Sequence, residues 1–422
     1  MILIELNEFN PDLLRAAAEQ FQLDNLRQLC DFAHTETDAE EREERFGLDP
    51  WVQWPSIHTG KTSAEHGLHH LADAYKLTCP QVWDTLASNG VTSGIWGAMN
   101  ARFNRHDNLR FFFPDPWTYT ETASEPALNR LLALPRYYAR HYLALSKIKL
   151  FSTFCNTASF FLNPALLGKA LTFLPFATGK LISQKIGTGF LFSAFDLINA
   201  IGFRHYCLRN QVDFKLVFLN SVAHCQHHCW TDADSISPEL QTMFEFLDRS
   251  VGLILEVAKE NEPIVVANAF SQYCSIENNE FLYRQIDPAS FFQSIGLDTT
   301  VEQLMTNDSQ LRFADATKAS AAAALLQSYK VAGKDLFQAS IDSEDDKRVF
   351  CQVLVWDDIA ADEYFHNSSE RFRFYDHFEK VVRRSGSHVA KGIVLSRGIK
   401  LPETMLNYQL HDYILENYGV RQ

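Results

Sequence analysis

The chain has 422 residues, enough for one large α/β domain with insertions or for two or three ordinary domains. Its 46% hydrophobic and 21% charged residues are the balance of a folded globular chain, which excludes general disorder. The net charge of −14 excludes nucleic acid as the main partner, because no basic excess exists to displace counterions from phosphates.

Residues Met1–Leu6 read as a buried first strand, and Pro11–Phe21 as a helix opening on a proline. No basic segment precedes an apolar run here, so a signal peptide is not expected. Cys30, Cys79, Cys155, Cys207, Cys274 and Cys351 stand alone among apolar neighbours, which points to free thiols in a reducing, cytoplasmic compartment. The charge-dense stretch Glu36–Arg45 is expected to be a solvated loop or helix. Trp51–Leu68 reads as a loop leading into a helix. Gln81–Asn89 is a helix stopped by Gly90, and Val91–Trp96 is the next strand. This alternation predicts a parallel α/β sheet.

Leu131–Tyr206 differs in being rich in Phe, Leu and Ala. Leu150–Gly168 carries no formal charge and approaches the length of a bilayer span, but Ser152, Thr153, Asn156, Thr157, Ser159, Asn163 and Pro164 make it a poor one. Three readings stand: a helical cap over the active site, a surface that dips into lipid, and a true span. The cap is adopted. Flanking Lys147, Lys149, Lys169, Lys180 and Lys185 keep membrane-surface contact through residues 150–204 open, at the inner face of the membrane.

The α/β pattern resumes at Val212, with a strand at Phe214–Leu219, a helix at Leu240–Glu260 and a strand at Pro263–Ala267. Asp287–Leu336 is expected to be mostly helical, Arg348–Trp356 a strand, and Arg371–Arg383 strand or helix. Ser385-Gly-Ser-His388 is a turn before a short strand, Gly392–Ser396. The expected organisation is a core in two parts, 1–130 and 211–422, separated by a helical insertion at 131–210.

Ser221-Val-Ala-His-Cys-Gln-His-His-Cys-Trp230 is the most chemically loaded segment. It follows an apolar strand, so its donors fall at the carboxyl edge of a sheet, where α/β proteins keep their sites. His224 and His228 are four apart, and on a helix both imidazoles project from one face. That spacing suits two nitrogen ligands of one divalent metal. Cys225 and Cys229 share another face and form the rival zinc set.

Several motifs occur in the order found in the alkaline phosphatase superfamily, and most resemble its type I phosphodiesterase/nucleotide pyrophosphatase branch. Ile4-Glu-Leu-Asn-Glu-Phe-Asn-Pro-Asp-Leu-Leu14 resembles the family's first strand and its continuation. Gln53-Trp-Pro-Ser56, Thr59-Gly60 and Glu65-His-Gly67 resemble the nucleophile loop and the helix after it. Leu247-Asp-Arg-Ser-Val-Gly252 resembles the helix after the first metal motif, and Gly386-Ser-His388 the late metal histidine. The resemblance covers most of residues 1–130 and 210–400. It implies a doubly wound, mostly parallel α/β fold of alkaline-phosphatase type, with the Phe-rich stretch as a helical cap.

The resemblance also implies two metal ions, and here the sequence departs from the pattern. The Asp-x-x-x-His motif can be set on His224 and His228, on Asn220 and His224, or on Ala223 and His227. The first keeps most ligands, and with His388 it makes a three-histidine site for one divalent metal, zinc. At the second site the aspartate is matched by Asn7, the nucleophile by Gln53, and the Asp-His pair by Asn268-Ala269-Phe270. Neutral amides bind a hard dication weakly and cannot attack phosphorus. Ser56 and Thr59 are the candidates for a stand-in nucleophile, Ser56 with His58 as the nearest base in sequence; the rival reading has Ser56 cap the helix ahead and Thr59 pack under it. Glu8 faces away from Asn7 along a strand and turns into the site only if the strand ends early.

The function expected is a single-metal hydrolase or transferase acting on a phosphate- or sulfate-bearing small molecule, lipid or glycan. Asn7, Gln53, Ser56 and Asn268 would donate hydrogen bonds to the anion. The alternative is an inactive relative that binds a phosphorylated ligand or scaffolds a biosynthetic complex.

Overall fold

The computed structural model describes residues 1–39, 48–183, 187–304 and 307–420. Eight strands form the main sheet: β1 (Ile2–Leu6), β2 (Ala33–Asp38), β3 (Ser93–Trp96), β4 (Leu109–Phe113), β5 (Phe214–Leu219), β6 (Ile264–Ala267), and two late strands at Lys391–Arg397 and Thr404–Leu406. Their order is Thr404–Leu406, β2, Lys391–Arg397, β6, β1, β5, β3, β4. The run from β6 to β4 is parallel, and Lys391–Arg397 enters antiparallel between β6 and β2. β1, β5 and β6 are buried at every position, as expected for central strands covered on both faces. This is the mixed α/β sheet, parallel at its centre, that the sequence predicts.

The chain divides into two compact units. The first holds residues 1–133, 155–274 and 386–422, and the second 134–154 and 275–385. The cut thus departs from the expected 1–130, 131–210 and 211–422. Most of the helical insertion belongs with the main sheet, and 275–385 closes a core of its own around Tyr283, Phe291, Phe337 and Phe365.

Within that second unit, Asp287–Leu336 is not mostly helical. Pro288–Ser294 and Ala316–Gln327 are helices, but Thr300–Gln303 and Asp308–Arg312 pair antiparallel. The helices sit where Asp287 and Asp315 cap their first turns. Arg371–Arg383 resolves into two strands, Arg371–Arg373 and Phe378–Arg383.

Two further readings change in the first unit. Glu36–Asp38 lies in β2, where buried Thr35 and Thr37 alternate with outward Glu36; residues 40–47 of the expected charged loop lie outside the described residues. The segment after Asp49 is helix α1 (Pro50–Thr59) rather than a loop, despite Pro55 within it. A mid-helix proline orphans the carbonyl four residues back. Here Asn100 Nδ2 donates to that Trp51 carbonyl at 2.9 Å, so the helix continues.

The insertion is helical as expected. Its last two helices are α2 (Pro164–Ser183) and α3 (Thr188–Asn210). The histidine cluster forms α4 (Ser221–His228), followed by α5 (Pro238–Leu255).

Candidate metal centre

Three chain segments meet at the carboxyl edge of the sheet. β1 stops at Leu6, and Glu8 follows with φ of 57°, a left-handed conformation uncommon for a non-glycine residue. Its backbone is fixed at both ends: Glu8 N–H donates to Asn268 O at 3.0 Å, and Gln226 Nε2 donates to Glu8 O at 2.8 Å. This turn ends the strand alternation and swings the Glu8 carboxylate into the site. α4 brings His227. A short strand, Gly386–Val389, pairs antiparallel with Ser271–Cys274 and brings His388 opposite Gln272.

Glu8, His227 and His388 are the group of three donors, among the described residues, whose ligand atoms all lie within 4.8 Å of one another. Glu8 Oε2 is 3.0 Å from His227 Nε2 and 3.0 Å from His388 Nε2, and the two imidazole nitrogens are 3.3 Å apart. Ligands about 2.0–2.1 Å from a tetrahedral zinc stand about 3.3 Å from each other, so the spacing fits one cation. The tautomer also fits. His227 Nδ1 faces the Gly386 carbonyl at 3.2 Å and donates to it, which leaves the Nε2 lone pair turned toward Glu8 and His388. The His227 lone pair and the Glu8 carboxylate converge on one point and repel unless a cation or a proton lies between them. Burial pushes the Glu8 carboxyl up, but the His388 and His227 imidazoles outweigh it and hold the group well below its usual range. Only 2% of the Glu8 side chain is exposed, against 20% of His227 and 17% of His388, so solvent reaches the centre from the histidine side.

The surroundings hold these donors in place. Gln272 Nε2 donates to Glu8 Oε2, and Asn7 Nδ2 donates to Glu8 Oε1 at 3.0 Å. Asn7 Oδ1 in turn accepts from Trp54 Nε1 at 2.7 Å. Gly386 has no room for a side chain: a Cβ there would stand 2.4 Å from Gln226 O and 2.6 Å from Gln272 Oε1.

The ligand trio expected from spacing, His224, His228 and His388, is therefore not the one the fold assembles. His388 meets His227 and Glu8 instead. The i, i+4 rule places His224 and His228 on one face of α4, with ring centroids 5.0 Å apart. His224, however, stacks on Phe192 of α3 at 3.9 Å. Burial pushes its pKa down to about 3, so it is a neutral aromatic partner of the helical layer. The register pairing Ala223 with His227 is the one the geometry favours. Ala223 contributes a carbonyl that accepts from Gln272 Nε2 at 3.2 Å, and Glu8 supplies the carboxylate an aspartate would have given. Cys225 and Cys229 belong to no group of three donors among the described residues. Cys225 lies against Gly189 of α3.

The expected substrate-binding side chains are buried and engaged within the protein. Asn268 donates to Phe9 O at 2.8 Å and to Ser271 Oγ at 2.9 Å, and its Oδ1 accepts from Ile393 N. Gln53 Oε1 accepts from Asn407 Nδ2 at 2.8 Å. Ser56 donates to Val52 O at 3.2 Å, and its other neighbour is His66 Nε2 at 3.0 Å. Leu68 N–H donates to His66 Nδ1, so the His66 proton sits on Nε2 and points at Ser56. In this arrangement His66 cannot take the serine's proton. His58 is no base for Ser56 either, since it pairs with buried Glu5 at 2.8 Å. At the positions matched to the acids of the second site stand neutral amides, each engaged elsewhere: Asn7 with Glu8 and Asn220, Gln53 with Asn407, and Asn268 with Phe9 O and Ser271.

No protein-family model matches the chain, and no curated protein matches it in sequence. Among solved structures, it is similar to human ectonucleotide pyrophosphatase/phosphodiesterase 5 (11% identity, TM-score 0.45, 100% of this chain and 95% of that one). The murine form in complex with AMP gives 10% identity and a TM-score of 0.49 over the same shares. Phosphonoacetate hydrolase from Sinorhizobium meliloti, with phosphonoformate, gives 12% identity and 0.46, over 98% and 94%. These are proteins of the superfamily whose motif order the sequence resembles. At such identities and scores the likeness assigns no residue role and no substrate.

Proposed function

We propose that this protein is a single-metal hydrolase or transferase for a phosphate- or sulfate-bearing substrate, with zinc held by Glu8, His227 and His388. The observation that carries the reading is the convergence of two imidazole Nε2 atoms and one carboxylate oxygen at 3.0–3.3 Å on the carboxyl edge of the sheet. Two neutral imidazoles and one carboxylate are a donor set of catalytic zinc. They leave a dication one net positive charge, enough to attract an anion. When bound, such a cation polarises an anionic oxygen and lowers the pKa of water beside it.

The chain's own residues prepare that chemistry. Gly386 O fixes the His227 tautomer, Gln272 fixes the Glu8 rotamer, and Asn7 occupies the second Glu8 oxygen. Neither Gln53 nor Ser56 is disposed to attack, which favours water or an acceptor alcohol as nucleophile. The phosphate or sulfate class comes from the motif order shared with the superfamily, and a lipid or glycan portion would suit the apolar helices nearby.

One observation favours a second reading. Asn7, Gln53 and Asn268 are buried, uncharged and engaged within the protein, and so offer no second cation site, which suits a protein that holds a phosphorylated ligand without turning it over. Metal analysis of the purified full chain, with assays on phosphomonoester, phosphodiester and sulfate-ester chromogens, separates these. Near-stoichiometric zinc with turnover abolished by His227→Ala supports the enzyme. Zinc without turnover supports the ligand-holding reading, and absence of any bound metal overturns both the centre and the enzyme.

A further inference from the structure

We infer that α2 is an interfacial membrane-docking helix that lies on an anionic bilayer with its outer stripe immersed. A surface helix of a globular protein shows one apolar face to the core and a polar face to water. α2 is apolar on both. Its inner face carries Leu166, Ala170, Phe173, Phe176 and Ala177, packed against the core of the first unit. Phe176 meets Phe246 of α5 at 4.7 Å, and Lys180 is paired with Glu245. Its outer face carries Leu167, Leu171, Leu174 and Leu181, spaced by four, three and seven residues, with Ile182 next to the last, and all are open to water. Leu171 is 53% exposed, Leu174 52% and Ile182 86%. The window Pro164–Ile182 is long and apolar enough to cross a membrane, with only 6% of it buried. Its inner contacts argue against crossing: a helix held along one side against the core, and tied to α5 at Phe176 and Lys180, can offer only its other side to lipid. That is the arrangement of an interfacial helix.

Charge decides the occupant. The protein is acidic overall, yet from Cys155 to Phe195, within the first unit, it has three lysines and no Asp or Glu. An anionic lipid surface attracts such a segment while the rest of the molecule is repelled, which orients the approach. Two grooves of about 320 and 390 Å³ lie between the start of α2 and α3. Lys169, Arg204, His205 and Arg209 line the first, and Arg130, His205 and Arg209 the second. Exposed Leu162 and Leu208 form part of their walls. Basic groups beside exposed leucines match a lipid's phosphate above its acyl chains. Glu256 and Glu125 pair with some of these cations, so the grooves are moderately rather than strongly basic.

The test is co-flotation of the full chain with vesicles of phosphatidylcholine alone and of phosphatidylcholine with phosphatidylglycerol. Binding to the anionic vesicles, weaker binding to neutral ones and weakening by salt are expected. Leu171→Asp with Leu174→Asp reduces binding at least about tenfold while circular dichroism and metal content stay unchanged, since both side chains are exposed. Leu174→Trp, a milder change, shows a blue-shifted emission on anionic vesicles. Absence of binding to anionic vesicles overturns the inference. So does binding indifferent to the paired Asp substitutions, or a dimer in sedimentation that those substitutions dissolve, because a second copy would then cover the stripe.

Discussion

Glu8 and His227 carry the centre, and both were partly legible. The sequence put three histidines in one short helix but could not say which faced the sheet edge, because adjacent helical positions differ by only about 100°. The i, i+4 pair was the better pattern, and Phe192 took His224 instead. Glu8 was hidden by strand alternation, and only the early end of β1 and its left-handed turn reveal it. The substitutions separate cleanly. His227→Ala and Glu8→Gln are each expected to weaken zinc binding at least about 100-fold by calorimetry, whereas His224→Phe retains it within a few-fold.

Asp196 gives a second prediction at this scale. It is buried, and desolvation raises its pKa to about 7 although it accepts from Ser221 N–H at 2.7 Å. A carboxyl raised in the folded state contributes stability that is full below its unfolded pKa near 3.8 and is lost as pH rises through about 7. Asp196→Asn should remove that loss, which amounts to at most about 1.4 kcal/mol per pH unit in denaturant titrations between pH 4 and 7.

Among the elements, α1 and the Gly386 strand show why local sequence misleads. Pro55 argues for a loop, and nothing near it in sequence announces that Asn100 repairs the helix. The Gly386–His388 motif was legible as a site but not as a strand, because its partner Ser271–Cys274 lies more than a hundred residues earlier. The glycine sits where any side chain collides with Gln226 and Gln272, the two amides that steady Glu8. Gly386→Ala should cost about 1–3 kcal/mol in thermal or denaturant unfolding and displace His388, with zinc lost from the folded protein.

On the scale of the molecule, the alternation of strand and helix made the sheet predictable, while in the unit spanning 275–385 the strand at Arg348–Val353 was legible and most of the other strands were not. Its short strands pair across loops and helices, and their apolar periods are too brief to separate from helix. The centre belongs wholly to the first unit, so zinc should raise that unit's melting temperature. The expected gain is about 2.7 kcal/mol at a hundred times the dissociation constant, read by calorimetry with and without chelator.

The Glu8 carboxylate and two ring nitrogens already point at a common centre before anything is added, so hydrogen ions and cations contend for one small space. Loading must therefore expel protons, and mild acid should strip the centre reversibly. Titrations run in two buffers of unlike ionisation heat would count those protons, and a count of zero would mean that the imidazoles never held them.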